Sequence, residues 1–374
     1  MLTQALVNRE VNAPFELTDI ELDEPQPNEV LVKIVACGLC HTDLMIQSGA
    51  IPTAFPSIAG HEGAGTVVSV GTSVKRVQAG DAVLLSFASC QSCALCGEGH
   101  PAGCASWVEH NFGRRRNVQV DDKPVANAIE TRMQIKGAFF GQSSFARHCL
   151  VQESSCVKVP SGTDLAALAP LGCGLGTGAG AVLNALRPDP SSSLVIFGLG
   201  AVGFAALFAA AYLNLHTIIV VDLFPSRLAL AKELGAHYAL DGKSEGVVEQ
   251  IKALTGGVGA KYAIEATGVA RVLETAWKSV RYAGTVVSLG NPGPGIKPPF
   301  DINDQVNSAK IWMGCVEGDS NPPEFIPLLM KLYEEGKFPV DRLSRTFPVE
   351  EFDAAVQAMK SGEVIKPIIT FETA

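Results

Sequence analysis

Basic charge is scarce in this sequence. Twenty-nine lysines and arginines stand against 38 aspartates and glutamates, for a formal charge of -9 and a pI near 5.3. That balance excludes a general nucleic-acid binder, because phosphate binding draws on clustered Lys and Arg. The basic run Arg114-Arg115-Arg116 reads as a solvated loop. Low-complexity tracts are missing too, and with 47% hydrophobic and 18% charged residues the composition fits a soluble globular enzyme. Met1-Leu2-Thr3-Gln4-Ala5-Leu6 lacks a basic region followed by a sustained apolar one, so no signal peptide is expected and the cytosol is the expected compartment. At 374 residues the chain exceeds a typical single core, and two domains are expected.

Cysteine is plentiful: there are ten. A disulfide scaffold with that many would be a much shorter secreted chain, whereas here they cluster, which in a reducing compartment favours metal binding or catalysis. Cys90, Cys93, Cys96 and Cys104 follow a C-x2-C-x2-C-x7-C spacing that can wrap one tetrahedral ion in a closed all-sulfur shell, stapling a loop and doing no chemistry. The rival reading is four free thiols in a loop. Ala36-Cys37-Gly38-Leu39-Cys40-His41-Thr42-Asp43 puts a soft thiolate, a hydroxyl and a carboxylate within four positions. Candidates to complete a site around Cys40 are His61 in Gly60-His61-Glu62-Gly63 and Cys173 in Gly172-Cys173-Gly174. Two thiolates and an imidazole leave the fourth position of a tetrahedral zinc open, as catalytic sites do. For Cys37-Gly38-Leu39-Cys40 the rival is a redox pair, but the preceding residues lack the βαβ context of such motifs.

Residues 1–35 read as short strands and turns, with the β-branched run at 30–35 delivering the backbone to the first cysteines. Glycine-punctuated strands recur at 66–70 and 83–85, so a small β-barrel-like domain is expected. The stretch up to about Lys136 reads as polar loop. Phe139 and Phe140 read equally as the lining of an apolar pocket or as plain core.

Past Pro160 the pattern changes. A strand at 194–197 runs into Gly198-Leu199-Gly200-Ala201-Val202-Gly203, which opens an Ala-rich helical run, and a second strand at 217–221 ends at Asp222. This is the βαβ context that the dinucleotide fingerprint requires: Gly198 for the turn, Gly200 for the pyrophosphate, Gly203 for close helix packing. Phosphate charge is received at the helix N-terminus. Further strands at 238–240, 262–264, 285–289 and 311–313 complete a doubly wound, six-stranded parallel sheet. Residues 194–215 are long and apolar enough to imitate a membrane span, but a doubly covered parallel sheet explains them and no membrane is expected. Asp222, 24 positions after Gly198, suits a carboxylate that grips ribose hydroxyls, which favours NAD; nearby Arg227 softens the preference against NADP.

In this order, Cys40-His41-Thr42-Asp43, Gly60-His61-Glu62, the four-cysteine lobe, Cys173 and the glycine fingerprint resemble the zinc-dependent medium-chain alcohol dehydrogenases along essentially the whole chain. Phe139 to Phe145, Pro170 to Gly174 with Thr177 to Gly180, and Val316-Glu317-Gly318 look most like the aryl-alcohol (benzyl alcohol) and geraniol-type members. The resemblance implies a GroES-like catalytic domain at 1–175, a Rossmann domain at 176–315 and a return to the first at 316–374. It implies two zincs per subunit, one catalytic on Cys40, His61 and Cys173 and one structural on Cys90, Cys93, Cys96 and Cys104. Asp43 would buttress His61, Glu62 would lie beside the metal, and Thr42 would accept the alcohol's proton. His41 and Lys366 would face the cofactor pyrophosphate, Thr177 the nicotinamide side, with Gly198, Gly200, Ala201, Val202, Gly203, Asp222 and Arg227 also binding cofactor. Read alone, the rival for His41 is a surface imidazole, the less favoured of the two.

The implied reaction is hydride transfer between NAD(H) and a primary aromatic or allylic alcohol and aldehyde pair, with Phe139, Phe140 and Val316 shaping the pocket. The same site would serve a biosynthetic aldehyde reductase. A non-catalytic zinc and nucleotide-binding scaffold is disfavoured by the intact ligand set, and a reductase of activated double bonds usually lacks it. Liver-type relatives continue the proton relay through a histidine five positions beyond the ligand cysteine, where this chain has Met45. By analogy with relatives that pair through their nucleotide domains, a homodimer or homotetramer is expected.

Overall fold

The computed structural model describes residues 1–113, 118–121, 132–298 and 300–371, so Arg114-Arg115-Arg116 lies outside the described residues. Two compact units emerge. The first comprises Met1–Cys173, Asn321–Met330 and Val340–Ala374; the second comprises Gly174–Ser320 and Lys331–Pro339. Relative to the expected boundaries, residues 174–175, 316–320 and 331–339 fall in the second unit. Packing explains this: Gly318 lies against the backbone of Gly180, and the Phe338 ring meets Phe208 edge-on at 5.2 Å.

In the first unit the strand Glu29–Gly38 is central. Its antiparallel partners are Gly63–Val70 and, on its other edge, His148–Gln152 and Lys366–Thr370. The remaining strands of this seven-stranded sheet are Ala82–Leu85, Cys156–Val159 and Ser344–Pro348. A second sheet orders Ser57–Ile58, Leu2–Asn8, Phe15–Glu21, Val118–Asp121 and Arg132–Ile135. The last two correct the expectation of continuous loop before Lys136; they pair antiparallel, in register Val118 to Ile135. Between the sheets lies one apolar core that includes Val30, Val32, Ile34, Leu85, Phe145 and Ile369.

Register does the positioning. Cys37 lies opposite Gly63, and the Gly38 N–H continues the ladder to the Glu62 carbonyl at 3.0 Å. Cys40 therefore follows the end of one strand while His61 precedes the start of its neighbour. Sequence-distant residues become adjacent because antiparallel strands place one chain's exit beside the other's entry.

The second unit holds six parallel strands in the spatial order Tyr238–Asp241, Thr217–Asp222, Ser193–Phe197, Ala260–Glu265, Val280–Ser288, Ile311–Gly314. Numbered along the chain this is 3-2-1-4-5-6, the dinucleotide-binding order with its reversal between the first and fourth strands. The apolar stretch from residue 194 resolves into a buried strand and the helix Ala201–Tyr212. Among the described residues no single helix is long and apolar enough to cross a membrane. A Cβ on Gly203 would fall 1.8 Å from the Gly198 carbonyl, so helix and strand approach as closely as glycine alone allows.

Candidate metal and dinucleotide sites

Asp43 organises the first site. It is the third residue of the helix His41–Gln47, and its carboxylate reaches back to the Cys40 N–H at 3.0 Å. The other oxygen, Oδ1, accepts from the Gly60 N–H and from His61 Nδ1, both at 2.9 Å. One fully buried carboxylate thus caps the helix and fixes the imidazole. With Nδ1 committed, Nε2 of His61 is left buried without a hydrogen-bond partner. Around it gather Cys40, Glu62 and Cys173, with one donor atom from each of the four residues lying within 4.8 Å of the others. Thr42 Oγ1 is 3.5 Å from Cys40 Sγ.

Electrostatics in this cluster call for positive charge. The Cys40 thiol is held well below its usual range, first by its hydrogen bond with Cys173, against burial, and then by His61. Burial works to deprotonate His61, yet the Asp43 carboxylate and then Cys40 outweigh it and raise the imidazole's pKa. Anionic groups that pull a proton onto Nε2 would accept a divalent cation in its place.

Lys366, expected toward the cofactor pyrophosphate, is 2% exposed, with Nζ donating to both oxygens of Glu62 at 2.8 and 2.7 Å and to the Leu39 carbonyl at 3.1 Å. Burial opposes its charge, but the Glu62 carboxylate and then Cys40 hold its pKa up.

Phe139 and Phe140 are both buried and close around the histidine: Phe140 stacks on the imidazole at 4.7 Å and Phe139 meets it edge-on at 5.3 Å. Trp107 and Phe112, which sequence reasoning missed, support Phe140 edge-on at 6.1 and 5.2 Å. Their only signal was aromatic character inside the apparent loop region.

The four-cysteine lobe is assembled locally. Cys93 caps the short helix Ala94–Gly97 and Cys104 follows the 3-10 turn Pro101–Gly103, so the four sulfurs come within 4.8 Å of one another. The Cys104 sulfur accepts from the Cys90 N–H and the Cys90 sulfur from the Cys93 N–H, each at 3.3 Å. Amides around Cys90, first that of Ser92, lower its pKa to about 5, whereas burial and neighbouring thiols push Cys96 up to about 12.

In the second unit, Gly198-Leu199-Gly200 links strand to helix, and Ala201, Val202 and Gly203 form the first turn. Asp222 ends the next strand; Oδ2 accepts from the Leu199 N–H at 2.6 Å and Oδ1 from the Phe224 N–H at 2.9 Å. The Arg227 guanidinium lies over the Phe224 ring at 4.6 Å, and its buried Nε has no hydrogen-bond partner. Among the remaining expected residues, His41 is exposed at the start of its helix, Thr177 is half-buried on the helix Gly174–Gly180, and Val316 is 56% exposed in the second unit.

The alcohol dehydrogenase GroES-like domain model matches residues 26–161, and the zinc-binding dehydrogenase model matches residues 201–335. Geraniol dehydrogenase from Castellaniella defragrans is 40% identical over 369 residues, covering 98% of this chain and 97% of its own length. The chain belongs to the zinc-dependent medium-chain alcohol dehydrogenase family. Two solved dehydrogenase structures match over 100% of both chains. They are an alcohol dehydrogenase zinc-binding domain protein from Burkholderia ambifaria (41% identity, TM-score 0.93) and benzyl alcohol dehydrogenase from Acinetobacter calcoaceticus (38%, 0.91).

The residues of this dehydrogenase fit the groups its family uses. Nε2 of His61 is buried without a hydrogen-bond partner, in a cluster whose donor atoms from Cys40, Glu62 and Cys173 lie within 4.8 Å of one another. A Cβ on Gly200 would meet nothing within 4 Å, so open space lies over the helix N-terminus where a diphosphate would approach.

Proposed function

We propose that this chain oxidises primary aromatic or allylic alcohols reversibly to the aldehyde, with NAD as hydride acceptor. The alcohol loses a hydride from carbon and a proton from oxygen, so aldehyde, NADH and one proton are formed. One observation carries the reading: the partnerless His61 Nε2, ringed by the Cys40, Glu62 and Cys173 donor atoms within 4.8 Å. A zinc ion held by Cys40, His61 and Cys173 would supply Lewis acidity that makes an alcohol hydroxyl easier to deprotonate. A second zinc, in the closed shell of Cys90, Cys93, Cys96 and Cys104, would staple its loop.

The chain's own groups do the rest. Asp43, bound to Nδ1, orients His61 with Nε2 toward the other ligands, and Thr42 Oγ1 accepts the substrate hydroxyl proton while passing its own onward. Met45 stands where liver-type relatives carry a histidine, so the proton leaves through water or another base. Asp222 at the strand end and Gly200 support NAD. The aromatic rings of Phe139 and Phe140 beside His61 support an unsaturated or aromatic substrate, as do the names of the geraniol and benzyl alcohol dehydrogenases among its relatives. Under the same reading the enzyme works in the cytosol and pairs through its nucleotide-binding unit as a homodimer or homotetramer.

Measured NADH formation with benzyl alcohol, cinnamyl alcohol, geraniol and ethanol tests this. The expected kcat/KM for the first three exceeds that for ethanol by about 100-fold, and chelation abolishes all four rates. Ethanol preference would refute the substrate class, and chelator-resistant turnover would refute the metal.

A further inference from the structure

His61 and Cys173 come from segments far apart in the chain, and neither is joined to the other by secondary structure. We propose that Gln142 and Ser86 form a bracket that sets the spacing of these two ligands, acting as positioning residues for the open metal site; this rests on the three-donor reading above.

Gln142 is 1% exposed, and all four hydrogen-bonding positions of its amide are filled. Nε2 donates to the His61 carbonyl at 2.9 Å and the Ser86 carbonyl at 3.1 Å. Oε1 accepts from the Gly63 N–H at 3.1 Å and from Ser144 Oγ at 2.9 Å. Two carbonyls on one end and an N–H on the other leave only one orientation of the amide. The side chain therefore grips the backbone on both sides of Glu62, as a neighbouring strand would.

Ser86 carries the connection to the third ligand. Its hydroxyl donates to the Gly172 carbonyl at 2.6 Å, directly before Cys173. A Cβ on Gly172 would fall 1.9 Å from the Leu85 carbonyl, so these backbones touch and a side chain would force them apart. One run of bonds, from the His61 carbonyl through Gln142 and Ser86 to Gly172, ties both ligand segments together.

The turn that presents Gln142 is costly to hold. Ala138, Phe140 and Ser143 all adopt left-handed φ, at 66°, 51° and 53°, a region that residues with side chains disfavour. Ser143 Oγ secures it by accepting from the Phe139 N–H at 2.8 Å and donating to the Ile58 carbonyl at 2.7 Å. The same turn lays Phe140 on the His61 ring. Backbone strain, ring stacking and a saturated amide thus converge on one ligand, where a merely space-filling loop would address none.

Metal affinity, with stability as control, tests the bracket. Gln142→Met keeps the volume and takes this partner from the His61 and Ser86 carbonyls and the Gly63 N–H, while Ser144 Oγ keeps its contact with Cys37; Ser86→Ala removes only the link to Gly172. Zinc affinity of the open site is measured against a chromophoric chelator, total zinc by elemental analysis, and geometry by the visible spectrum of the cobalt-substituted protein. Gln142→Met should bind about tenfold more weakly at the open site and Ser86→Ala several-fold more weakly, with a shifted cobalt spectrum and the four-cysteine lobe still loaded. Lower melting temperatures with affinity and spectrum unchanged in both variants would overturn the bracket. Should Gln142→Met fail to fold, Ser86→Ala decides alone: weakened affinity supports the bracket and wild-type affinity overturns it. If Cys173→Ala releases no zinc from otherwise wild-type protein, the three-donor reading itself falls, and the bracket falls with it.

Discussion

The two cysteine clusters use similar ligand chemistry in opposite ways. Cys90, Cys93, Cys96 and Cys104 lie within one short loop region, with backbone N–H groups supporting the sulfurs at 3.3 Å. Cys40, His61 and Cys173 come from three segments, brought together by the register of Glu29–Gly38 on Gly63–Val70 and by the short helices before Cys173. Spacing alone builds the first cluster; the whole fold of its unit builds the second. The lobe offers four sulfurs and so a closed shell, whereas the other offers three soft donors and a carboxylate already bound to Lys366. A local cluster can stiffen a loop without the rest of the protein, and a distributed one carries chemistry only while the fold holds it.

The comparison breaks most sharply at the ligands. Cys173→Ala should reduce kcat/KM by about 10⁴-fold or more while circular dichroism and melting temperature change little, because the distributed site follows folding and does not cause it. Cys104→Ser should invert the pattern: one zinc lost by elemental analysis and the melting temperature lowered by about 5 °C or more, with activity falling only as folded protein is lost. Equal stability losses in the two variants would erase the distinction.

Thr42→Val sharpens it further by separating ligation from proton handling. Alcohol oxidation should fall about 100-fold with zinc content unchanged, and an unaltered kcat would remove Thr42 from the relay. The smallest effect is expected in the other unit, away from both clusters. Asp222→Gly should narrow the preference for NAD over NADP by about tenfold in kcat/KM, and a wild type that already prefers NADPH would refute the role given to Asp222.

Much of this was legible in the chain because it rests on local rules. The C-x2-C-x2-C-x7-C spacing and the glycine fingerprint between two apolar runs each specify their own geometry, and the two strands flanking the fingerprint fall on the apolar runs at 194–197 and 217–221. The Lys366–Glu62 pair was not legible because the two residues stand 304 positions apart, and nothing near position 366 announces a buried carboxylate. Gln142 was passed over inside a stretch read for its phenylalanines. A glutamine gives no periodic signal, and its value lies in four partners drawn from two other segments and its own turn. The strands at 118–121 and 132–135 pair mainly with each other, and each is only four residues long, too short for its alternation to stand out. Phe139 and Phe140, read equally as core or pocket, are buried and also face His61.

Zinc K-edge X-ray absorption on Cys173→Ala tests the central contrast most directly. The account predicts a single zinc per chain, surrounded by four sulfurs at about 2.3 Å and no nitrogen. A second zinc, or a nitrogen neighbour at about 2.0 Å in that variant, would contradict it.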